Sequence, residues 1–227
     1  QDGVTSGFEL EIGTARVADW YNERAGGQVL NYGISVGHIP IRMALFEDEG
    51  RFLPTGPGGG GIAGPGIMDR MESMMRQGLA EGAIAMGFGL AYTPAATQTE
   101  FEAMLSIAAE VQVSAHIHTR GGLDGLRQII ASAGDAGTPL HIVHANSSGG
   151  STISEFLAII QAARDAGQDV TTEMYPYEAS YSDIGSALFD GWETWEDDRF
   201  GRNMWVATSE RLTRESFARY RQITGGM

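Results

Sequence analysis

Short apolar runs alternate along this chain with segments whose apolar residues return every three or four positions. The runs at 4–11, 28–36, 82–90, 111–118, 140–144 and 170–175 predict six strands. Between them, Val17, Trp20 and Tyr21 fall at i, i+3 and i+4, and Met71, Met74, Met75 and Leu79 recur along 69–80; this predicts helices over 14–24 and 69–80. Helices are also predicted over 97–111, 123–136, 151–166 and 213–222. Thr97 or Thr99 and Thr213 stand where two of these would start, and Gly137 and Gly167 where two would stop. Glu100 and Glu102 suit the positive end of their helix. Such alternation predicts an α/β domain with a parallel sheet, either an open doubly wound sheet or a (β/α)8 barrel. The stretch after the first strand, Glu11-Ile12-Gly13-Thr14-Ala15, lacks the glycine fingerprint that would favour the open sheet. Glu11, His38, His118, His144 and Tyr175 each sit at or just past the C-terminal end of a strand run. In a barrel those ends converge on one mouth, so the placement predicts a barrel.

With 227 residues the chain suits one domain with a real core. It is read as a single domain over 1–227, with a Gly/Pro-rich loop at 54–66 and an aromatic, acidic insertion at 177–205. The loop carries four successive glycines at 58–61 but no Gly-Lys-Ser/Thr ending, so it is a surface loop and not a phosphate loop. Fifteen basic residues face 29 acidic ones, for a net charge of −14; every basic residue is arginine, and there is no cysteine. These absences exclude a disulfide, a thiolate nucleophile, a Schiff-base lysine and a carboxylated-lysine metal bridge within the chain. An acidic surface repels phosphate backbones, so no nucleic-acid partner is expected. No apolar run approaches the roughly 20 residues of a membrane helix, so no membrane partner is expected either. The ends, Gln1-Asp2 and Thr224-Gly225-Gly226-Met227, do not look like natural termini, and the chain is expected to be an internal piece of a longer protein.

Four of the five histidines fall in two strand runs, His116-Ile117-His118 and His141-Ile142-Val143-His144. Residues two apart on a strand share a face, so His116 and His118 point the same way. His141 and His144 have opposite parity and are not expected to face inward together; His144, at the strand end, is the candidate metal ligand. His116 and His141 are expected to be core histidines. Glu9 and Glu11 share a face among apolar neighbours, and burying both requires an arginine, an imidazolium or a metal beside them. Glu173 and Tyr175 share a face near a strand end closed by Pro176, where they suit contacts to a substrate or behind a metal ligand. Tyr177 is expected to pack.

Taken in order, Gly3-Val4-Thr5-Ser6, Asn31-Tyr32-Gly33 through Gly37-His38 to Arg42, Gly89-Leu90-Ala91-Tyr92-Thr93-Pro94, His118-Thr119-Arg120, Ile142-Val143-His144 and Tyr175-Pro176-Tyr177 resemble the N-acyl-D-amino-acid deacylases of the amidohydrolase superfamily. Glu9-Leu10-Glu11-Ile12-Gly13 looks most like the D-glutamate-type branch. The resemblance implies a partial (β/α)8 barrel lacking its first and last strands. It implies an enzyme that uses one or two zinc ions to cleave the amide of a small N-acyl-D-amino acid. His144 matches the family's histidine ligand. Glu11 lies at or next to the place of the family's cysteine ligand, as does Ile12. His118 would hydrogen-bond the scissile carbonyl. His38, Arg42, Arg120, Glu173 and Tyr175 would contact substrate, the arginines through its carboxylate unless they serve structural salt bridges. The family's upstream His-x-His and downstream catalytic Asp have no counterpart here. A piece lacking both would be catalytically incomplete by itself, with a structural or weak metal-binding role. An amidohydrolase acting on a cyclic amide or a dipeptide is the other reading.

Overall fold

The computed structural model describes residues 3–223; the two ends on which the expectation of a fragment rests, Gln1-Asp2 and 224–227, lie outside the described residues. Six parallel strands form one sheet in sequential order: β1 (Ser6–Thr14), β2 (Asn31–Gly37), β3 (Met86–Gly89), β4 (Ala115–His118), β5 (Leu140–Ile142) and β6 (Val170–Thr172). Each strand pairs with the next in the chain. An open doubly wound sheet would reverse its order part-way, so this is the order of a (β/α)8 barrel.

The crossovers are α1 (Val17–Arg24) after β1, then α2 (His38–Leu45), α3 (Pro57–Gly60) and α4 (Pro65–Ala80) after β2. α5 (Gln98–Val111) follows β3, α6 (Gly122–Ala136) follows β4, and α7 (Ala145–Gly149) with α8 (Ile153–Asp165) follows β5. The expected caps form. Thr97 Oγ1 accepts from Glu100 N at 3.1 Å, Gly137 ends α6 with a φ of 72°, and Thr213 with Ser216 makes a capping box on α10 (Arg214–Arg221). The helices pack on one face of the sheet. Ile34, Val36, Met86, Phe88, Ala115, Ile117, Leu140 and Ile142 meet Met71, Met75, Phe101, Leu105, Ile129 and Phe156 in one buried core. Each of the larger of these side chains contributes about 1.5–3 kcal/mol by leaving water.

Several boundaries differ from the sequence reading. β2, β3 and β4 start later than expected, because their first apolar residues lie in the preceding turns; β5 and β6 stop earlier, at Ile142 and Thr172, and β1 runs on to Thr14. α2 was not anticipated; its apolar residues Ile39 and Ile41 are wholly buried in the middle of a run read only as motif. The 54–66 segment contains α3, and α4 begins at Pro65, which suits a first helical position. The 177–205 segment holds 3-10 turns and α9 (Asp197–Phe200) and ends in the first strand of a small hairpin, β7 (Met204–Trp205) with β8 (Glu210–Arg211). Its Ile184, Trp195 and Phe200 share a second core with Leu212 and Phe217.

One irregularity shapes the site. β1 keeps register with β2 from Ser6↔Asn31 to Glu9↔Ile34 and resumes at Thr14↔Val36. Four residues of β1, Leu10 to Gly13, therefore stand opposite the single Ser35. They bulge over the inward face of the sheet, where β2 and β3 offer Gly37, Gly87 and the small side chain of Ser35. A Cβ on Gly37 would collide with the Ile12 carbonyl oxygen, and one on Gly87 with the Glu11 carbonyl oxygen.

Candidate metal centre

The bulge carries Glu11 away from its own neighbour β2 to the ends of β4 and β5. There Glu11 Oε1 lies 3.0 Å from His118 Nδ1, and Glu11 Oε2 lies 3.3 Å from His144 Nε2. One ligand atom from each of the three residues falls within 4.8 Å of the others, the spacing of a set that can hold one metal ion. The His118 and His144 rings meet edge to face, 4.6 Å between centroids. Burial alone would push the Glu11 carboxyl up, but hydrogen bonds with His118 and His144 outweigh it and bring it down to about 2. Burial would lower His144, yet Glu11 reverses this and raises it. The cluster is thus an anion held between two imidazoles, the donor chemistry a divalent cation would take over.

His144 reaches this position by leaving the strand. β5 ends at Ile142, and His144 adopts a left-handed backbone, φ 35° and ψ 61°. Its N–H donates to Glu173 Oε1 at 2.5 Å, and the N–H of Ala145 donates to the Glu173 carbonyl. Ser147 Oγ lies 2.9 Å from His144 Nδ1, which leaves Nε2 to face Glu11. Strand parity therefore misleads here. His141 pairs in register with His116, 4.8 Å between ring centroids, on the same inward face as His118. Both His141 and His144 point inward, because the kink at His144 replaces the alternation that parity assumes. Burial, together with the neighbouring His141, lowers His116 to about 4.

The three donors sit at the edge of a cavity of about 750 Å3 at the C-terminal ends of the strands. Its walls include Tyr92, whose ring is 4.8 Å from His118, as well as Phe52, Leu53, Arg120, Tyr175 and Tyr177. Tyr175 and Tyr177 stack at 6.2 Å. The structure thus brings together Glu11, His118, His144, Arg120 and Tyr175. Three expected substrate residues lie elsewhere. His38 and Arg42 are 0% exposed. Arg42 Nη1 donates to both oxygens of the buried Glu100, at 2.6 and 2.8 Å; Nε donates to the Gly58 carbonyl, and Nη2 to that of Gly61. His38 Nε2 is 2.7 Å from Glu100 Oε1. No nitrogen of Arg42 is left to turn to a substrate, and α2 directs both side chains under the glycine loop. Glu173 is a brace for His141 and the His144 backbone, not part of the cavity wall. Arg120 lines the cavity, but both terminal nitrogens donate to the carbonyls of Thr93, Pro94 and Ala96, so the carboxylate grip expected of it is not formed.

Sequence reasoning gave no role to Tyr92, although it lies in the Gly89–Pro94 signature, nor to Ser147, three residues past His144. Glu100 was read only as a helix-end acid, and nothing local announces its buried partners.

No protein-family model matches the chain. Over 163 residues, 67% of the chain, it is 28% identical to the N-acyl-D-glutamate deacylase of Alcaligenes xylosoxydans xylosoxydans. Over this stretch the chain is similar to an N-acyl-D-amino-acid deacylase. It spans 31% of that curated protein's length. In fold it is similar to a D-aminoacylase whose crystal structure defined a subset of amidohydrolases, with a TM-score of 0.68 and 20% identity; the match covers 98% of this chain and 52% of that one. It is also similar to the N-acyl-D-glutamate deacylase of Bordetella bronchiseptica, solved with zinc and a phosphonate mimic of the tetrahedral intermediate. There the TM-score is 0.58 and the identity 23%, over 71% of this chain and 34% of that one. The barrel read from the strand order is the fold of these amidohydrolases.

Proposed function

We propose that this chain forms part of a zinc-dependent amidohydrolase that cleaves the amide of N-acyl-D-amino acids, and that Glu11, His118 and His144 are its metal ligands. The observation that carries this reading is the convergence of one carboxylate from the β1 bulge and two imidazoles from the ends of β4 and β5 at the wall of a large cavity. The donor set suits zinc, which takes imidazole nitrogens and a carboxylate and keeps a position open. His118 thereby moves from the carbonyl contact expected of it to the ligand set. Bound zinc would supply a water of lowered pKa and polarise the scissile carbonyl.

The chain's own side chains orient the donors and keep water from them. Ser147 holds the His144 ring through Nδ1, and Glu173 holds its backbone. Tyr92 and Tyr175 flank the donors and shield them from bulk water. Tyr175 remains the proposed substrate contact among the residues expected at the outset.

The test is zinc content and affinity by chelator competition in the wild type and in His144→Ala. Affinity is expected to fall at least tenfold in the variant, with hydrolysis of N-acetyl-D-amino acids falling alongside it in the whole enzyme. Equal zinc affinity in the two proteins would remove the ligand assignment. Hydrolysis of L-substrates at the same rate as D-substrates would remove the substrate class.

A further inference from the structure

Glu9 is half-buried beside the metal centre, makes no hydrogen bond to either histidine of the cluster, and takes no part in the function proposed above. Both of its carboxylate oxygens are nevertheless committed. Oε1 accepts from Ile12 N at 3.0 Å, and Oε2 accepts from Gly13 N at 2.5 Å. These two amides belong to the four-residue bulge that leaves the β1–β2 ladder, so they lack the ladder partners a regular strand would supply. Gly13 turns through a φ of 68°, which reverses the chain back to the sheet.

We propose that Glu9 is the positioning residue of the site: its carboxylate clamps the inward bulge of β1 that carries Glu11 across two strands to His118 and His144. The geometry leaves little else to do this. The floor under the bulge is Gly37 and Gly87, which make room for it, with the buried Ser35 hydroxyl between them, which makes no hydrogen bond to hold it. Without the clamp, the regular register would place Glu11 beside β2, away from β4 and β5. The Glu9-Leu10-Glu11 pattern therefore divides into a brace and a ligand: one carboxylate compensated by backbone N–H groups, the other by imidazoles.

The inference rests on the reading of Glu11 as a ligand, and the test separates the two. Amide hydrogen exchange at Ile12 and Gly13, measured on the whole chain without metal, is expected to accelerate at least tenfold in Glu9→Ala. It should accelerate less in Glu9→Gln, which keeps one acceptor oxygen. Zinc affinity by chelator competition should fall roughly tenfold or more in Glu9→Ala, as for partners that orient a ligand, and Glu9→Gln should recover part of it. Glu11→Ala is the control. If Glu11→Ala weakens zinc and Glu9→Ala does not, the positioning role is overturned while the ligand reading stands. If Glu11→Ala leaves zinc binding intact, the ligand reading fails and the exchange rates alone decide the clamp. Unchanged protection of Ile12 and Gly13 in Glu9→Ala overturns the proposal in either case.

Discussion

At the scale of single residues, the inward face of the sheet is a row of titratable groups whose states are set by their neighbours. Glu11 stays ionised because two imidazoles outweigh the penalty of its burial. His116, deeper on β4, has only the hydroxyl of Ser114 at 3.0 Å and the ring of His141, and burial dominates. The unfolded chain takes up a proton at His116 near pH 6.5, the folded one only near 4. Acidification across that window favours the state that binds the proton, so metal-free protein is expected to lose stability as pH falls from 6.5 towards 4. Glu11 adds to the loss lower down, as pH falls from the ordinary carboxylate range to about 2. Melting curves of wild type and His116→Leu over this range check the first part. The variant should show a flatter decline above pH 4, and parallel curves would refute the assignment. That four histidines gather near strand ends was legible in the sequence. That His116 and His118 share a face was legible too; that His141 and His144 both face inward was not, because a left-handed turn at His144 is invisible to a period-two argument.

At the scale of elements, the decisive feature is the bulge in β1 and the glycines beneath it. A strand that must pass over its neighbours needs them to lack side chains at the crossing, and Gly37 and Gly87 meet that need. Gly37 has φ −107° and ψ 129°, which alanine adopts freely, so only close contacts oppose a substitution, the Ile12 carbonyl foremost. Gly37→Ala is expected to destabilise the fold by about 1–3 kcal/mol, the usual cost of overpacking. It should also weaken zinc binding, because the bulge must lift. Urea unfolding and chelator competition on the same variant read both effects; a loss of stability with unaltered zinc affinity would separate the bulge from the site. The bounds of α5, α6 and α10, by contrast, were legible to within one residue. Their starts and stops depend on hydroxyl caps and glycines a few positions away, as at Thr97, Gly137 and Thr213.

At the scale of the whole molecule, a second buried network ties the crossover between β2 and β3 to α5. Arg42 from α2 joins Glu100 of α5 to the carbonyls of Gly58 and Gly61, while the Asp48 carboxylate accepts from the amides of Gly50, Thr55, Gly56 and Gly58. The glycine loop is thus held from two sides, and Phe52 and Leu53 just before it form part of the cavity wall. Removing one partner strands a buried charge, so Glu100→Ala is expected to cost about 3–5 kcal/mol in denaturant unfolding. Arg42 and Glu100 both lie at 0% exposure. A cost under about 1 kcal/mol, typical of exposed pairs, would mean that the network does not bear on stability. No helix among the described residues is long and apolar enough to cross a membrane.

The sequence by itself determined the alternation of strands and helices, the parallel order that follows from it, the helix caps and the gathering of polar residues at strand ends. Each of these depends on local periodicity or on residues within a few positions. Only the tertiary structure decided which polar residues share the cavity. Arg42 and Glu100 lie 58 positions apart, and Glu11 and His118 lie 107 apart. Pairing across such separations depends on how the chain crosses itself, at a bulge and a kink that interrupt the very periods from which the sequence is read.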